Sequence, residues 1–492
     1  MDEDLSGIKP QILWGHFNEL RKIPRCSKHE GLAAEYVVSA ARRLWLECRT
    51  DDAGNVLVRK EATPGGEGSP KVLLQSHLDM VCEKNKDIDH DFSKDKIEVV
   101  VDDGWISARG TTLGADNGIG VAAALAVLEE TGAVHGPLEL LFTVDEEEGM
   151  SGARGLGTDE IGARMMINLD TDDPHSVYVG CAGGENSHLR LPLQWVRPHF
   201  EGGATAFEVV LKGLAGGHSG VDISLERGNA IKLLGFLLGE AIEKVPFSLA
   251  SIRGGEKHNA IPREAEAHVV LSRERAEEFR SLVEAGERDL QEEYGKVEPG
   301  LVVEVSPLSL PERAASLEES ERAISLIRAL PNGVIRWSPE IEGLVETSTN
   351  LSVVLTEEDG ILLRAASRSS SRVGLRTTTG WIGAVADLAG AEVERGDRYP
   401  GRRPKLDSKL LSACKKAHQE VFGRKPEVKS IHAGLEMGII GEKFPEMEMV
   451  SLGTLIEHPH SPDERVKISA VEEFYSFLLA TLEKIAEMEG PR

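Results

Sequence analysis

Only five of the 492 residues are cysteine, and no two of them form a CxxC pair. Cys26, Cys48, Cys82, Cys181 and Cys414 are odd in number and scattered along the chain. They read as buried thiols of a reducing cytoplasm, with neither a disulfide frame nor a zinc–thiolate site expected. Long apolar runs are missing as well: the longest, Gly120 to Leu128, is far too short to span a bilayer. The first dozen residues, MDEDLSGIKPQI, are acidic and carry no apolar h-region, so no secretory signal is expected. Cations are in deficit. Lys and Arg number 56 against 82 Asp and Glu, a net charge of −26. That balance argues against nucleic acid or an anionic membrane as a partner and favours solubility. The rest of the composition, 40% hydrophobic and 28% charged, is ordinary for a soluble globular protein. At this length two or more domains are expected.

The first 170 residues alternate helical and extended patterns. Helices are expected near 11–24, 30–45 and 118–131, the last nearly all apolar with Gly132 as its stop. Strands are expected at 55–59, 72–77, 138–144 and 165–169. Such alternation predicts an α/β fold, a mainly parallel sheet flanked by helices. Two hinge candidates follow, at 198–203 and 396–404. The residues between them read as two α+β sandwich-like units in tandem, with markers at 207–211, 231–241, 267–271, 301–305 and 361–364. A helix (406–422), strands at 428–432 and 449–452, and a long helix (468–488) close the chain.

Acidic and histidine residues stand where the expected strands end, and strand ends are where open α/β sheets hold ligands. His77 and Asp79 lie two apart after an apolar strand, so they leave one face. A carboxylate there can orient a metal-bound imidazole, or the pair can be a surface His-x-Asp. Asp116 sits between Gly114 and Gly118, with room to bridge two ions, or it caps the helix that follows. Glu146 and Glu147 follow strand 138–144 and point apart, so one can bind metal while the other faces the attacking water. Their alternative is a solvated acidic run. Asp170 ends another strand, with Asp172 and Asp173 as rivals, and His460 has His458 as its rival. Two imidazoles and three carboxylates suit a pair of divalent ions, most plausibly zinc, with a Glu left to handle protons. His218, between glycines, can donate to an oxyanion or be a plain loop histidine. Arg368 can grip a carboxylate in two-pronged fashion or pair on the surface. His460 must return to ligands from the first 170 residues. The expected division is therefore 1–190 and 398–492 as one catalytic domain and 191–397 as an inserted lid.

Six stretches together resemble the aminoacyl-histidine (Xaa-His, cytosol non-specific) dipeptidases of the di-zinc aminoacylase and carboxypeptidase superfamily. They are 109–120, 179–184, 212–220, 259–264, 431–436 and 460–466. The resemblance implies a di-zinc exopeptidase-like catalytic domain with an inserted α+β lid. It implies that His77 and Asp170 hold one zinc and Glu147 and His460 the other, with Asp116 bridging. Asp79 orients His77, Glu146 is the general base, and the Asp116–Asn117 peptide is cis. His218 and Asn259 meet the substrate or its tetrahedral intermediate, while Arg368 and the backbone near Gly434 receive its carboxylate. A homodimer through the lid and a cytoplasmic location are implied as well. The expected reaction is hydrolysis of unblocked dipeptides by a water held between two metals, with cobalt or manganese as alternatives to zinc. An N-acyl amino acid deacylase and a non-catalytic ligand-binding protein are the rival readings. Glu148, Met437 and the 171–177 loop depart from the family pattern, and Glu148 adds negative charge near the metals.

Overall fold

The computed structural model describes residues 3–5 and 7–490, in two compact units. The first comprises residues up to Cys181, Arg402–Ser430 and Leu435 onward; the second comprises Ala182–Gly401 and Ile431–Gly434. The chain thus passes between units at 181/182 and 401/402, and again around the short segment 431–434. Residues 198–203, one of the two hinge candidates, fall inside the second unit, where they form the turn before strand Ala204–Lys212.

The first unit is built on an eight-stranded sheet. Its order is Glu47–Thr50, Val56–Lys60, Leu138–Thr143, Val72–His77, Met165–Thr171, Glu448–Gly453, Ser176–Cys181, Glu427–Ile431. The four strands in the middle of that order, from Leu138–Thr143 to Glu448–Gly453, pair in parallel, and antiparallel strands extend the sheet. Strands Val72–His77 and Leu138–Thr143 are buried at every position, as expected of parallel strands covered on both faces. Helix Ala115–Glu129 is apolar almost all round and buried from Asn117 to Leu128, so it is a core helix with no solvent face. It packs on Val72–His77 and Met165–Thr171. The approach is close enough that a Cβ on Gly120 would stand 2.4 Å from the Leu169 carbonyl oxygen. A separate four-stranded sheet brings the end of the chain back. The hairpin Ile456–Glu457 and Arg465–Lys467 pairs with Trp105–Ala108, which pairs with Val99–Asp102. Among the described residues no helix is long and apolar enough to cross a membrane.

In the second unit the two expected α+β units share a single nine-stranded sheet. Its order is Val302–Leu308, Ala204–Lys212, Ala265–Ser272, Phe247–Gly254, Val345–Thr356, Gly360–Ser369, Gly183–Pro192, Glu392–Tyr399, with Gly333–Trp337 paired to Val345–Thr356. Its helices Ala230–Lys244, Ala276–Tyr294, Leu317–Ala329 and Arg372–Ala389 share one core with the sheet. Phe279 anchors that core, stacked on Phe207 and edge-on to Phe247. Burying one such ring contributes about 1.5–3 kcal/mol.

The expectation of five free thiols is corrected. Cys26 and Cys82 form a disulfide, leaving Cys48, Cys181 and Cys414 free. The cause is local pairing. Cys26 forms a parallel bridge with Met80, which brings the two cysteine Cα atoms to 5.7 Å, within disulfide reach. Sequence spacing of 56 residues gives no hint of that pairing.

Candidate metal centre and substrate group

The C-terminal ends of the parallel strands carry the site of the first unit. His77 is the last residue of its strand and Asp170 the last but one of the neighbouring strand, Met165–Thr171. Glu146 and Glu147 follow strand Leu138–Thr143, and Asp116 opens the core helix. His460 sits in the connection of the hairpin that pairs with Trp105–Ala108. Asp116 lies in the middle of the group. Its Oδ1 is 3.1 Å from His77 Nε2, and its Oδ2 is 3.2 Å from His460 Nε2. His77 Nε2 is 3.3 Å from Asp170 Oδ1, and His460 Nε2 is 3.2 Å from Glu147 Oε1. The donor atoms of His77, Asp116 and Asp170 form one cluster, and those of Asp116, Glu147 and His460 a second. Asp116 belongs to both. A third cluster, His77, Glu146 and Glu147, keeps Glu146 within reach of the same space. The rivals fall elsewhere: Asp173 accepts from Ser176 and pairs with Lys429, and His458 is in no such cluster.

Behind these residues stand partners that fix them. Asp79, fully buried, lies with Oδ1 3.3 Å from His77 Nδ1, and its carboxylate accepts the backbone N–H groups of Glu146 and Glu147 and the Ser27 hydroxyl. Asn117 donates from Nδ2 to the Leu169 carbonyl and to Asp170 Oδ1, and its peptide with Asp116 is cis. Glu464, 1% exposed, accepts four successive backbone N–H groups, those of Leu113, Gly114, Ala115 and Asp116, at 2.7 to 3.2 Å. Arg25, 2% exposed, donates to the carbonyls of Leu78, Asp79 and Gly114. Beneath these side chains runs a buried polar chain. Ser451 donates to Asn168, Asn168 to Gln75, and both Gln75 and Thr143 donate to Glu436. Arg25, Ser27, Glu464 and this chain were not foreseen. The one signal for Glu464 was its place in the quoted stretch 460–466.

The electrostatics follow from crowding. Burial works to lower the His77 imidazole, but the carboxylates of Asp170, Asp116 and Asp79 outweigh it and raise it well above its usual value. Hydrogen bonds to Asp116 and Glu147 push His460 up to about 11. Burial pushes Asp170 up to about 6 and raises Glu146 well above the ordinary carboxyl value, with Asp170, Glu147 and Glu436 adding to the rise. Bound cations take the place of such protons. The donor set, two imidazoles and three carboxylates with no thiolate, fits a pair of borderline divalent ions. Glu147 Oε1 is buried with His460 Nε2 3.2 Å away, an arrangement that suits two ligands of one ion. Glu148 is balanced by Lys28, 2.5 Å away, which offsets the charge it was expected to add.

The second unit gathers its own polar group. Gly216 and Gly217 take positive φ, and at Gly217 a Cβ would meet Arg227 and Asp222. His218 follows them, and its Nδ1 accepts the backbone N–H groups of Gly220 and Val221. That sets the tautomer: the proton sits on Nε2, which is left as a donor. Burial, with Arg368 nearby, keeps this imidazole below its usual value and hence neutral. Around Gly220 a Cβ would lie 3.1 Å from both Arg368 Nε and His218 Cε1. Arg368, 9% exposed, donates from Nη1 to the Tyr399 hydroxyl, while its Nε is buried without a partner. The Asn259 carbonyl accepts the Ser219 N–H, and Gly434 lies in the short segment 431–434. A further cluster, Glu208, Glu266 and His268, has Arg253 Nε 2.6 Å from Glu266 and is satisfied without an ion.

The model of peptidase family M20/M25/M40 matches residues 73–484. The cytosol non-specific dipeptidase of Escherichia coli (strain K12) is 41% identical over 485 residues, covering 98% of this chain and 99% of that protein. The crystal structure of aminoacylhistidine dipeptidase from Vibrio alginolyticus superposes with a TM-score of 0.92 at 41% identity, covering 98% of each chain. Aminopeptidase PepT from Bacillus cereus shares the fold, with a TM-score of 0.57 at 18% identity, covering 98% of this chain and 100% of that one. The resemblance read from the sequence is borne out, and the chain belongs to peptidase family M20/M25/M40.

Proposed function

We propose that this peptidase hydrolyses unblocked dipeptides at a two-metal centre, Xaa-His substrates among them. The observation that carries the reading is Asp116, shared between the His77–Asp170 and Glu147–His460 clusters, with Glu146 half-buried beside them. The 41% identity to a dipeptidase over nearly the whole chain supports the substrate class. Zinc suits the nitrogen and oxygen donors best, with cobalt and manganese as alternatives. When bound, two such ions supply Lewis acidity and lower the pKa of a water from ~15.7 towards ~7. His77, Asp116, Glu147, Asp170 and His460 hold them, and Asp79 keeps His77 in its metal-binding tautomer. Glu146 takes the proton of the attacking water and returns it to the leaving amine. His218 donates from Nε2 to the developing oxyanion, with Asn259 beside it. Arg368 receives the substrate carboxylate as a charge-assisted pair, together with the backbone at Gly434.

A cytoplasmic location is proposed with this activity, in keeping with the cytosolic relative. So is a homodimer through the second unit. Val373, Trp381 and Leu388 support it, being 60%, 48% and 90% exposed along one helix. The test is hydrolysis of matched free and N-acetylated dipeptides, before and after EDTA, with zinc added back. Cleavage of the free set alone, lost with EDTA and restored by zinc, is the expected result. Cleavage of the acetylated set moves the protein to the deacylases, and no turnover with metal bound makes it a binding protein.

A further inference from the structure

The Cys26–Cys82 bridge stands among the contacts that hold Asp79. Cys26 pairs with Met80 across a parallel bridge, and the Met80 N–H donates to the Arg25 carbonyl at 3.1 Å. Arg25 donates to the carbonyls of Leu78 and Asp79, and the Ser27 hydroxyl donates to Asp79 Oδ2 at 2.8 Å. Residues 25–27 therefore cradle residues 78–80, and the disulfide to Cys82, two residues beyond Met80, is the covalent tie between these stretches of chain. Arg25 and Ser27 are buried, whereas both bridge cysteines are only half-buried. Cys181 and Cys414 are fully buried, with thiols pushed up to about 11 and about 12 by burial, so they take no part in exchange. Disulfides of cytoplasmic proteins are usually transient or redox-sensing.

We propose that Cys26–Cys82 is a reversible redox site, modified by small dithiols, that sets how firmly Asp79 holds His77 and so how tightly the centre binds metal. The inference rests on the reading of His77 as a metal ligand. In the reduction a thiolate of the dithiol attacks one bridge sulfur and the S–S bond breaks. The other bridge sulfur leaves as a thiolate and takes up a proton. The second thiol of the reductant then displaces the mixed disulfide. Two electrons and two protons pass to the protein, leaving Cys26 and Cys82 as thiols and the reductant as its own disulfide. With the covalent tie gone, Asp79 is held by hydrogen bonds alone. Loss of a carboxylate behind a metal-bound imidazole weakens metal binding about 10–100-fold, and partial loosening belongs at the lower end of that range.

The experiment begins by counting thiols in guanidinium, without and after reduction. Three are expected in the untreated protein (Cys48, Cys181, Cys414) and five after reduction. Zinc affinity is then measured by competition with a chromophoric chelator in three forms of the full chain. These are the oxidised protein, the reduced protein freed of reductant under nitrogen, and Cys26→Ser/Cys82→Ser. Circular dichroism confirms that each form is folded. About tenfold weaker zinc binding in the reduced and double-variant forms, restored when a small disulfide takes two electrons and two protons back from the reduced chain, is the expected result. Five free thiols in the untreated protein, or equal zinc affinity in all three forms, overturns the inference while leaving the metal centre intact. No zinc binding by any form overturns the metal reading and the inference with it.

Discussion

Replacing Glu464 by alanine tests whether one buried carboxylate organises the turn that carries Asp116. The side chain is 1% exposed and accepts from four successive backbone N–H groups. It is also the largest opposing charge to the buried Arg25 guanidinium. Each buried donor left without a partner costs about 1–3 kcal/mol, so four lost bonds set an upper range of about 4–12 kcal/mol. Water entering the space left by the side chain re-satisfies part of that. Breaking a buried charge pair by removing one partner costs about 3–5 kcal/mol, so about 4 kcal/mol is the expected loss for Glu464→Ala. Glu464→Gln keeps one acceptor oxygen but turns an NH2 group towards the remaining donors, so about half that loss is expected. The two units need not unfold together, and a bulk transition would blur the effect. Urea titration of the metal-free protein, followed by hydrogen exchange over residues 105–128, reads the first unit alone. A loss under about 1 kcal/mol in the alanine variant, or a glutamine variant worse than alanine, refutes the reasoning.

Other consequences follow from the same geometry. Burial pushes the Glu436 carboxyl up to about 7, above its ordinary 4.5. Its folded-state contribution is therefore full below about pH 4.5 and lost as pH rises through about 7, about 3 kcal/mol at pH 8. Glu436→Gln, neutral throughout and still an acceptor for Gln75 and Thr143, should gain stability relative to the parent chain between pH 5 and 8. Parallel stability profiles for the two would contradict this. Arg368→Ala should raise KM for dipeptides about 10–100-fold with kcat less affected, the worth of a charge-assisted carboxylate pair. The variant should also lose discrimination between free and C-terminally amidated substrates. Unchanged discrimination would remove Arg368 from the carboxylate site.

The cluster of His and acidic residues was legible because four of its members stand where apolar strands stop. His77 and Asp170 end strands buried along their lengths, and Glu146 and Glu147 follow a third. The residues alone left His458 beside His460, and the family resemblance chose His460. Only the pairing of Arg465–Lys467 with Trp105–Ala108 shows how this loop reaches Asp116. The support was less legible. Arg25 and Glu464 look like surface charges in sequence, and their partners lie 53 to 89 and 348 to 351 residues away. The disulfide escaped for the same reason, since Cys26 and Cys82 are brought together by one bridge at Met80. In the second unit the strand and helix markers were legible. That they belong to one nine-stranded sheet was not, because period-2 patterns do not record strand order.

The measurement that bears most directly on the two-metal account is metal content and turnover of Glu146→Ala, side by side with the parent chain. Glu146 lies near enough to His77 and Glu147 to be a ligand, so its assignment as a proton carrier is a real alternative to metal binding. The account expects two zinc ions per chain in both proteins and turnover of free dipeptides lowered by ~2 to 4 orders of magnitude in the variant. Near-normal turnover, or loss of one zinc, would contradict it.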